Sequence, residues 1–145
     1  MRIRELTLQY RPVPGSVGGA LAIRTPEEAA ALFRPFLQHE ASEVFMLALL
    51  DTKHRLIAVH TVARGSLDTA VVHPREVLKA ALLANAAGIL TAHNHPSGDP
   101  TPSPDDRVLF ARLRQAAEIV GLTLLDHLIV GEGQYWSETL KGEGR

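Results

Sequence analysis

The sequence predicts an α/β protein, a single domain with a central mixed β-sheet flanked by helices. Three observations carry this reading. Apolar runs of strand length (Val44–Leu50, Ile89–His93, Leu122–Val130) alternate with segments that open on helix-start signals. The resulting order, β-α-β-β-α-β-α-β, is that of a mixed sheet covered by helices. The chain's 145 residues, 46% hydrophobic and 21% charged, have the size and composition of one globular domain spanning residues 1–145.

Residues 3–10 alternate weakly and read as a strand, and Arg11–Gly19 is a Pro/Gly-rich loop. Thr25-Pro26-Glu27-Glu28 combines an N-cap, Pro at N1 and Glu at N3, the pattern of a capping box. That helix is expected to falter near Pro35. Val44–Leu50 is a continuous apolar run, as in a strand buried on both faces. Thr52-Lys53-His54 turns the chain, Arg55–Ala63 returns as a strand, and Gly65–Thr69 turns it again. Pro74 opens an Ala-rich helix expected to run to about Ala87, with Gly88 as its C-cap. Ile89–His93 is a short buried strand. Ser103-Pro104-Asp105-Asp106 starts a long helix with Leu109, Leu113, Ala117 and Val120 on one stripe, ended by Gly121. Leu122–Val130 and Gln134–Ser137 read as strands, and Glu138–Arg145 as a frayed polar tail.

Composition excludes several classes. There is no Cys, hence no disulfide framework, thiol nucleophile or Cys-based zinc site. Fifteen Lys+Arg against 16 Asp+Glu give a formal charge of −1, without the basic excess that announces nucleic acid. The longest apolar run is too short to span a bilayer, and the N-terminus lacks the apolar stretch of a signal peptide. A cytoplasmic location and no membrane partner are expected.

The chemically informative segment runs from Thr91 to Asp106. His93 and His95 are two apart, which in extended chain points both rings to one side. They stand at the C-terminal end of a buried strand, where α/β proteins often place their sites. Two imidazoles on one face can hold a divalent metal, and Zn²⁺ accepts nitrogen ligands with an added carboxylate. Four prolines and Gly98 stiffen the loop that follows, and it ends on a helix whose first turn carries Asp105 and Asp106. Either aspartate can be the third ligand. A surface His pair and a plain capping box, Ser103-x-x-Asp106, account for the same letters separately. Their coincidence in one short span favours a site.

His93, His95, Ser103 and Asp106 match the His-x-His, seven residues, Ser, two residues, Asp signature of the JAMM (MPN+) zinc metallopeptidases. The wider text resembles the RadC branch of that family. The resemblance rests on His93–Asp99 with Pro102-Ser103, on Leu50–Lys53, on Val72–Glu76 and on Asp126-His127, and covers residues 43–137. It implies a JAB/MPN, cytidine-deaminase-like fold, one zinc ion per chain held by His93, His95 and Asp106, and a glutamate that orients the attacking water. It further implies hydrolysis of amide or isopeptide bonds in a peptide or protein substrate. RadC proteins were named for DNA repair, and full-length members carry a helical region ahead of this domain. The chain resembles a short form without that region.

Ser103 has two readings, donor to a developing oxyanion or helix N-cap alone. Three glutamates are candidates for the general base: Glu40, Glu43 and Glu76. Glu76 lies in a helix first turn, where a carboxylate already suits the dipole. Glu40 lies in a polar approach. Glu43 directly precedes the buried Val44–Leu50 strand, and an antiparallel pairing with Ile89–His93 brings it towards His93. Glutamate before an apolar strand also resembles the JAMM pattern, so Glu43 is preferred. His127 is expected to be a buried histidine satisfied by a backbone carbonyl, with support of a metal ligand as the minor option. His73 is expected at a helix entry, and Arg107, Arg112 and Arg114 on a solvated helix surface.

Two other function classes remain open on the sequence. One is a metal-dependent nuclease or DNA-repair-associated factor, which the near-zero charge disfavours. His93-Asn94-His95 is not an HNH nuclease motif, whose residues are dispersed over a ββα unit. The other is a non-catalytic binding module, which the intact ligand set disfavours.

Overall fold

A computed structural model of the chain describes residues 1–65 and 72–144. The expected turn at Gly65–Thr69 lies outside the described residues apart from Gly65. The elements are α1 (Pro26–Leu37), β1 (Val44–Leu50), β2 (Leu56–Arg64), α2 (Pro74–Leu83), β3 (Gly88–Asn94), α3 (Pro104–Ile119), β4 (Thr123–Val130), β5 (Tyr135–Ser137) and β6 (Gly142–Gly144). The strands form one mixed sheet in the order β2-β1-β3-β4-β5-β6. β3 and β4 are parallel, joined by α3, and every other neighbouring pair is antiparallel. The fold is α/β, with helices on both faces of the sheet, as the resemblance implied.

Side-chain alternation divides the core. Met46, Ala48 and Leu50 of β1, with Leu90 and Ala92 of β3 and Leu128 and Val130 of β4, pack against Ala29, Ala30, Phe33 and Leu37 of α1. Phe45, Leu47 and Leu49, with Ile89 and Leu124, pack against Val77, Leu78 and Ala81 of α2 and Leu109, Leu113 and Ala117 of α3. Burial on both faces explains why β1 and β3 read as unbroken apolar runs.

Several elements differ from expectation. Residues 3–10 form no strand. Ile3, Leu6, Leu8 and Tyr10 are exposed and lack a ladder or core to hold them extended. α1 does not falter at Pro35 but runs through it to Leu37. The proline falls in the last turn, where one missing N–H is offset by burial of Phe33 and Leu37. α2 ends at Leu83, earlier than Ala87. Asn85, at φ 53°, makes the left-handed exit assigned to Gly88. Gly88 begins β3 instead, where a β-carbon would stand 3.1 Å from Leu125 Cδ1. Val120 caps α3 and lies outside the buried stripe. The tail is not frayed throughout, since Gly142–Gly144 pairs with β5 as an edge strand. Among the described residues no helix is long and apolar enough to cross a membrane.

Candidate metal centre

The two histidines are placed by β3. Their spacing puts Thr91 and His93 on the α3 face of the sheet, and His95 follows where the strand ends. His95 N–H still donates to Val130 O (3.0 Å), so β4 holds the loop's first residue. From there the chain is tied down step by step. Gly98 N–H donates to His95 O (2.9 Å), at a φ of +90° that suits glycine. Asp99 Oδ1 accepts from Thr101 N–H (3.0 Å) and Oγ1–H (2.7 Å), which hold the Asp99 carboxyl below its ordinary pKa. Glu132 N–H donates to Gly98 O (2.9 Å). Gly131 allows this approach, because a β-carbon there would sit 2.3 Å from Gly98 O.

The loop delivers Asp106 at the third position of α3. Ser103 Oγ accepts from Asp106 N–H (3.1 Å), and Asp106 Oδ2 accepts from Ser103 N–H (2.9 Å), a complete capping box. The same carboxylate faces the histidines. His93 Nε2 is 3.3 Å from Oδ1, His95 Nε2 is 3.1 Å from Oδ2, and the two Nε2 atoms are 3.1 Å apart. His93, His95 and Asp106 are the described residues whose donor atoms gather closely enough to hold a metal ion, all within 4.8 Å of one another. Asp105 is exposed and stands outside this group.

The donor set fits a divalent ion. His95 Nδ1 lies 2.9 Å from Asp99 O, and a carbonyl only accepts, so that nitrogen carries the proton of neutral His95. Its Nε2 lone pair is thereby aimed at the centre. Hydrogen bonding to Asp106 raises the His95 pKa against the opposing effect of burial, helped by Asp99 O and the charges of Asp106 and Glu43. Burial would raise the Asp106 pKa, but hydrogen bonds from His93 and His95 hold it far below the ordinary carboxylate value. In the metal-free chain Asp106 is therefore ionised.

Glu43 lies one residue ahead of β1, half-buried, and its backbone O accepts from Gly65 N–H (2.9 Å). β1 and β3 are antiparallel with Phe45 opposite His93, so Glu43 and the histidines share one end of the sheet. Of the other glutamates, Glu76 pairs with Lys79 and Arg75, and Glu40 with Arg64 (3.1 Å). Ser103 is exposed. Its oxygen accepts the Asp106 amide, which leaves its own proton free to donate.

Sequence reasoning missed Asn94 and Thr91 and misread His127 and Arg114. Asn94, between the histidines, points to the opposite face. Its Oδ1 accepts from Val44 N–H (2.7 Å) and its Nδ2 donates to Ser42 O (3.0 Å), which staples the segment bearing Glu43. His127 is fully buried but meets no backbone carbonyl, contrary to expectation. Its Nε2 lies 2.9 Å from His93 Nδ1 and its Nδ1 lies 2.6 Å from Thr91 Oγ1. Burial, reinforced by nearby His93, drives its pKa well below the usual histidine value, so it is neutral. The available signal was the spacing of two between Thr91 and His93, but the partner on β4 depends on register. Asp126 faces the other way, accepting from His127 N–H, Ser137 Oγ and Thr139 N–H. His73 stands at the entry of α2 as expected, and it also caps the helix, its Nδ1 accepting from Arg75 N–H (3.0 Å). Of the α3 arginines, Arg114 is not simply solvated: it pairs with Glu138 and donates to Leu124 O.

A mixed sheet whose central strand ends in a His-x-His pair facing an aspartate on the next helix defines a JAB-type domain with a candidate metal centre. The chain belongs to the RadC-like JAB domain family, whose profile matches residues 23–143. It is 47% identical over 120 residues to a UPF0758 protein of Desulforudis audaxviator, covering 83% of this chain and 52% of that protein. A UPF0758 protein of Shouchella clausii is 43% identical over 141 residues, 97% of this chain and 57% of the relative. One of Listeria monocytogenes is 46% identical over 122 residues, covering 84% and 54% respectively. The chain thus spans about half the length of the curated relatives it matches.

Proposed function

We propose that this domain is a zinc-dependent hydrolase of amide or isopeptide bonds in a peptide or protein substrate, with one zinc ion per chain. The observation that carries the reading is the convergence of His93 Nε2, His95 Nε2 and the Asp106 carboxylate within hydrogen-bonding distances of one another. Zinc suits two imidazoles and one carboxylate. When bound by three protein ligands it polarises a carbonyl and brings water's pKa to about 7.

The chain's own residues supply the rest. Glu43 accepts a proton from the attacking water and returns it to the leaving amine. Ser103 Oγ–H donates to the carbonyl oxygen as it takes up negative charge. Charge favours protein over nucleic acid. Arg55, Arg64, Arg75 and Arg114 each meet a carboxylate, and Arg107 lies over Trp136, so these cations form no free basic stripe.

The test is elemental analysis of zinc-supplied protein followed by parallel assays on labelled peptide, isopeptide and DNA substrates. About one zinc equivalent and amide cleavage are expected. Glu43→Gln should keep zinc and fold and lose at least about 10²-fold in rate. DNA cleavage that disappears in His93→Ala, with the peptide and isopeptide substrates untouched, would turn the reading to a nuclease. Zinc binding with no cleavage of any of the three would turn it to a binding module.

A further inference from the structure

We infer that the buried pair His127 and Thr91 positions the metal site, by holding His93 in the tautomer that presents Nε2 as a ligand. The inference rests on the zinc reading above. Once His93 Nε2 ligates a metal, its proton can sit only on Nδ1, which must donate across the 2.9 Å contact to His127 Nε2. The proton of His127 is then on Nδ1, and donates to Thr91 Oγ1 at 2.6 Å. Run the other way, the chain would place a proton on His93 Nε2, where it blocks ligation.

The surroundings support this arrangement. Thr91 and His127 are both fully buried, so solvent is not at hand to replace either partner. They face each other in the parallel β3–β4 ladder, which sets their separation by backbone register. The His127 ring is held from the sides by Phe110 (centroids 3.9 Å apart) and Phe45 (5.5 Å). Neither Thr91 nor His127 belongs to the ligand cluster, so their effect on a metal passes through His93.

The experiment is a zinc titration against a competing chelator, with wild type, Thr91→Val, Thr91→Ser, His127→Phe and His127→Gln, and thermal unfolding of each metal-free protein as control. Thr91→Val keeps the side-chain volume and removes the hydroxyl. His127→Gln keeps an acceptor for His93 Nδ1–H. Zinc affinity should fall about 10–100-fold in Thr91→Val and His127→Phe, the scale for a lost partner of a ligating histidine. It should stay near wild type in Thr91→Ser and His127→Gln. Nitrogen-15 NMR of the zinc-loaded wild type should show His127 protonated at Nδ1 and bare at Nε2, a readout that stands even where a His127 variant does not fold. Unmoved affinity in Thr91→Val, or a proton on His127 Nε2, overturns the inference while leaving the zinc reading intact. Failure of the wild type itself to bind zinc removes both.

Discussion

Asn94 shows how one side chain serves the site from behind. Strand alternation points His93 to the α3 face and Asn94 to the other, where its amide meets Val44 N–H and Ser42 O. Val44 is only 1% exposed, so water cannot take over that bond. Asn94→Ala leaves the buried Val44 N–H unpaired, which should cost about 1–3 kcal/mol in denaturant unfolding. On the proposed function, the stapled segment carries Glu43 and not the metal ligands, so hydrolysis should weaken while zinc affinity stays near wild type. Unchanged unfolding, or a loss of zinc equal to the loss of rate, would contradict this division of labour. A sequence reading sees only a polar residue between two histidines. Its partners are fifty residues and more away and become visible with the β1–β3 register.

At the scale of elements, the site depends on two glycine-bearing turns packed together. Gly131 follows β4 directly and meets the His95–Asp99 loop at Gly98. A methyl at Gly131 would fall 2.3 Å from Gly98 O and 2.9 Å from Pro100 Cδ, and a backbone carbonyl yields only if the whole loop shifts. That loop carries Asp99 O, which orients His95. Gly131→Ala should therefore lose about 1–3 kcal/mol of stability, as overpacked sites do, and bind zinc more weakly. Gly133→Ala is the control: it strains a φ of +66° but meets nothing within 4 Å, so it should lose stability without losing zinc affinity. Equal zinc affinity in the two variants would dissociate the turn from the site. Elements with local signals were legible: the capping boxes at Thr25 and Ser103, the unbroken run of β1, the exit of α3 at Gly121. Where expectation failed, the deciding force was tertiary. Burial of Phe33 and Leu37 carried α1 through Pro35, pairing with β5 ordered Gly142–Gly144, and want of a partner left residues 3–10 without a ladder.

For the whole molecule, ligand cluster and fold are one system: β3, the loop and α3 converge on the candidate centre only when the sheet and helices are packed. Zinc that binds the folded chain and not the unfolded one should stabilise it by mass action, about 2.7 kcal/mol at a free concentration a hundred times Kd. For a domain of this length that is a rise in Tm of roughly 5–10 °C. The pH dependence follows from His95 and Asp106. In the metal-free chain the His95 pKa lies above its unfolded value, chiefly through the hydrogen bond to Asp106. Its imidazolium thus stabilises the metal-free fold fully below about pH 6.5, and that contribution fades as pH rises through the folded value. Zinc requires the same Nε2 lone pair, so proton and metal compete. Asp106, held far below its ordinary value, stays a carboxylate throughout and does not alter the sign. The increment in Tm produced by zinc should therefore be larger at pH 8 than at pH 6. The measurement is a pair of thermal scans, with zinc and with chelator, at each pH. Taking their difference cancels groups remote from the centre, and an increment that is equal at both pH values, or larger at pH 6, would show that His95 is not a ligand.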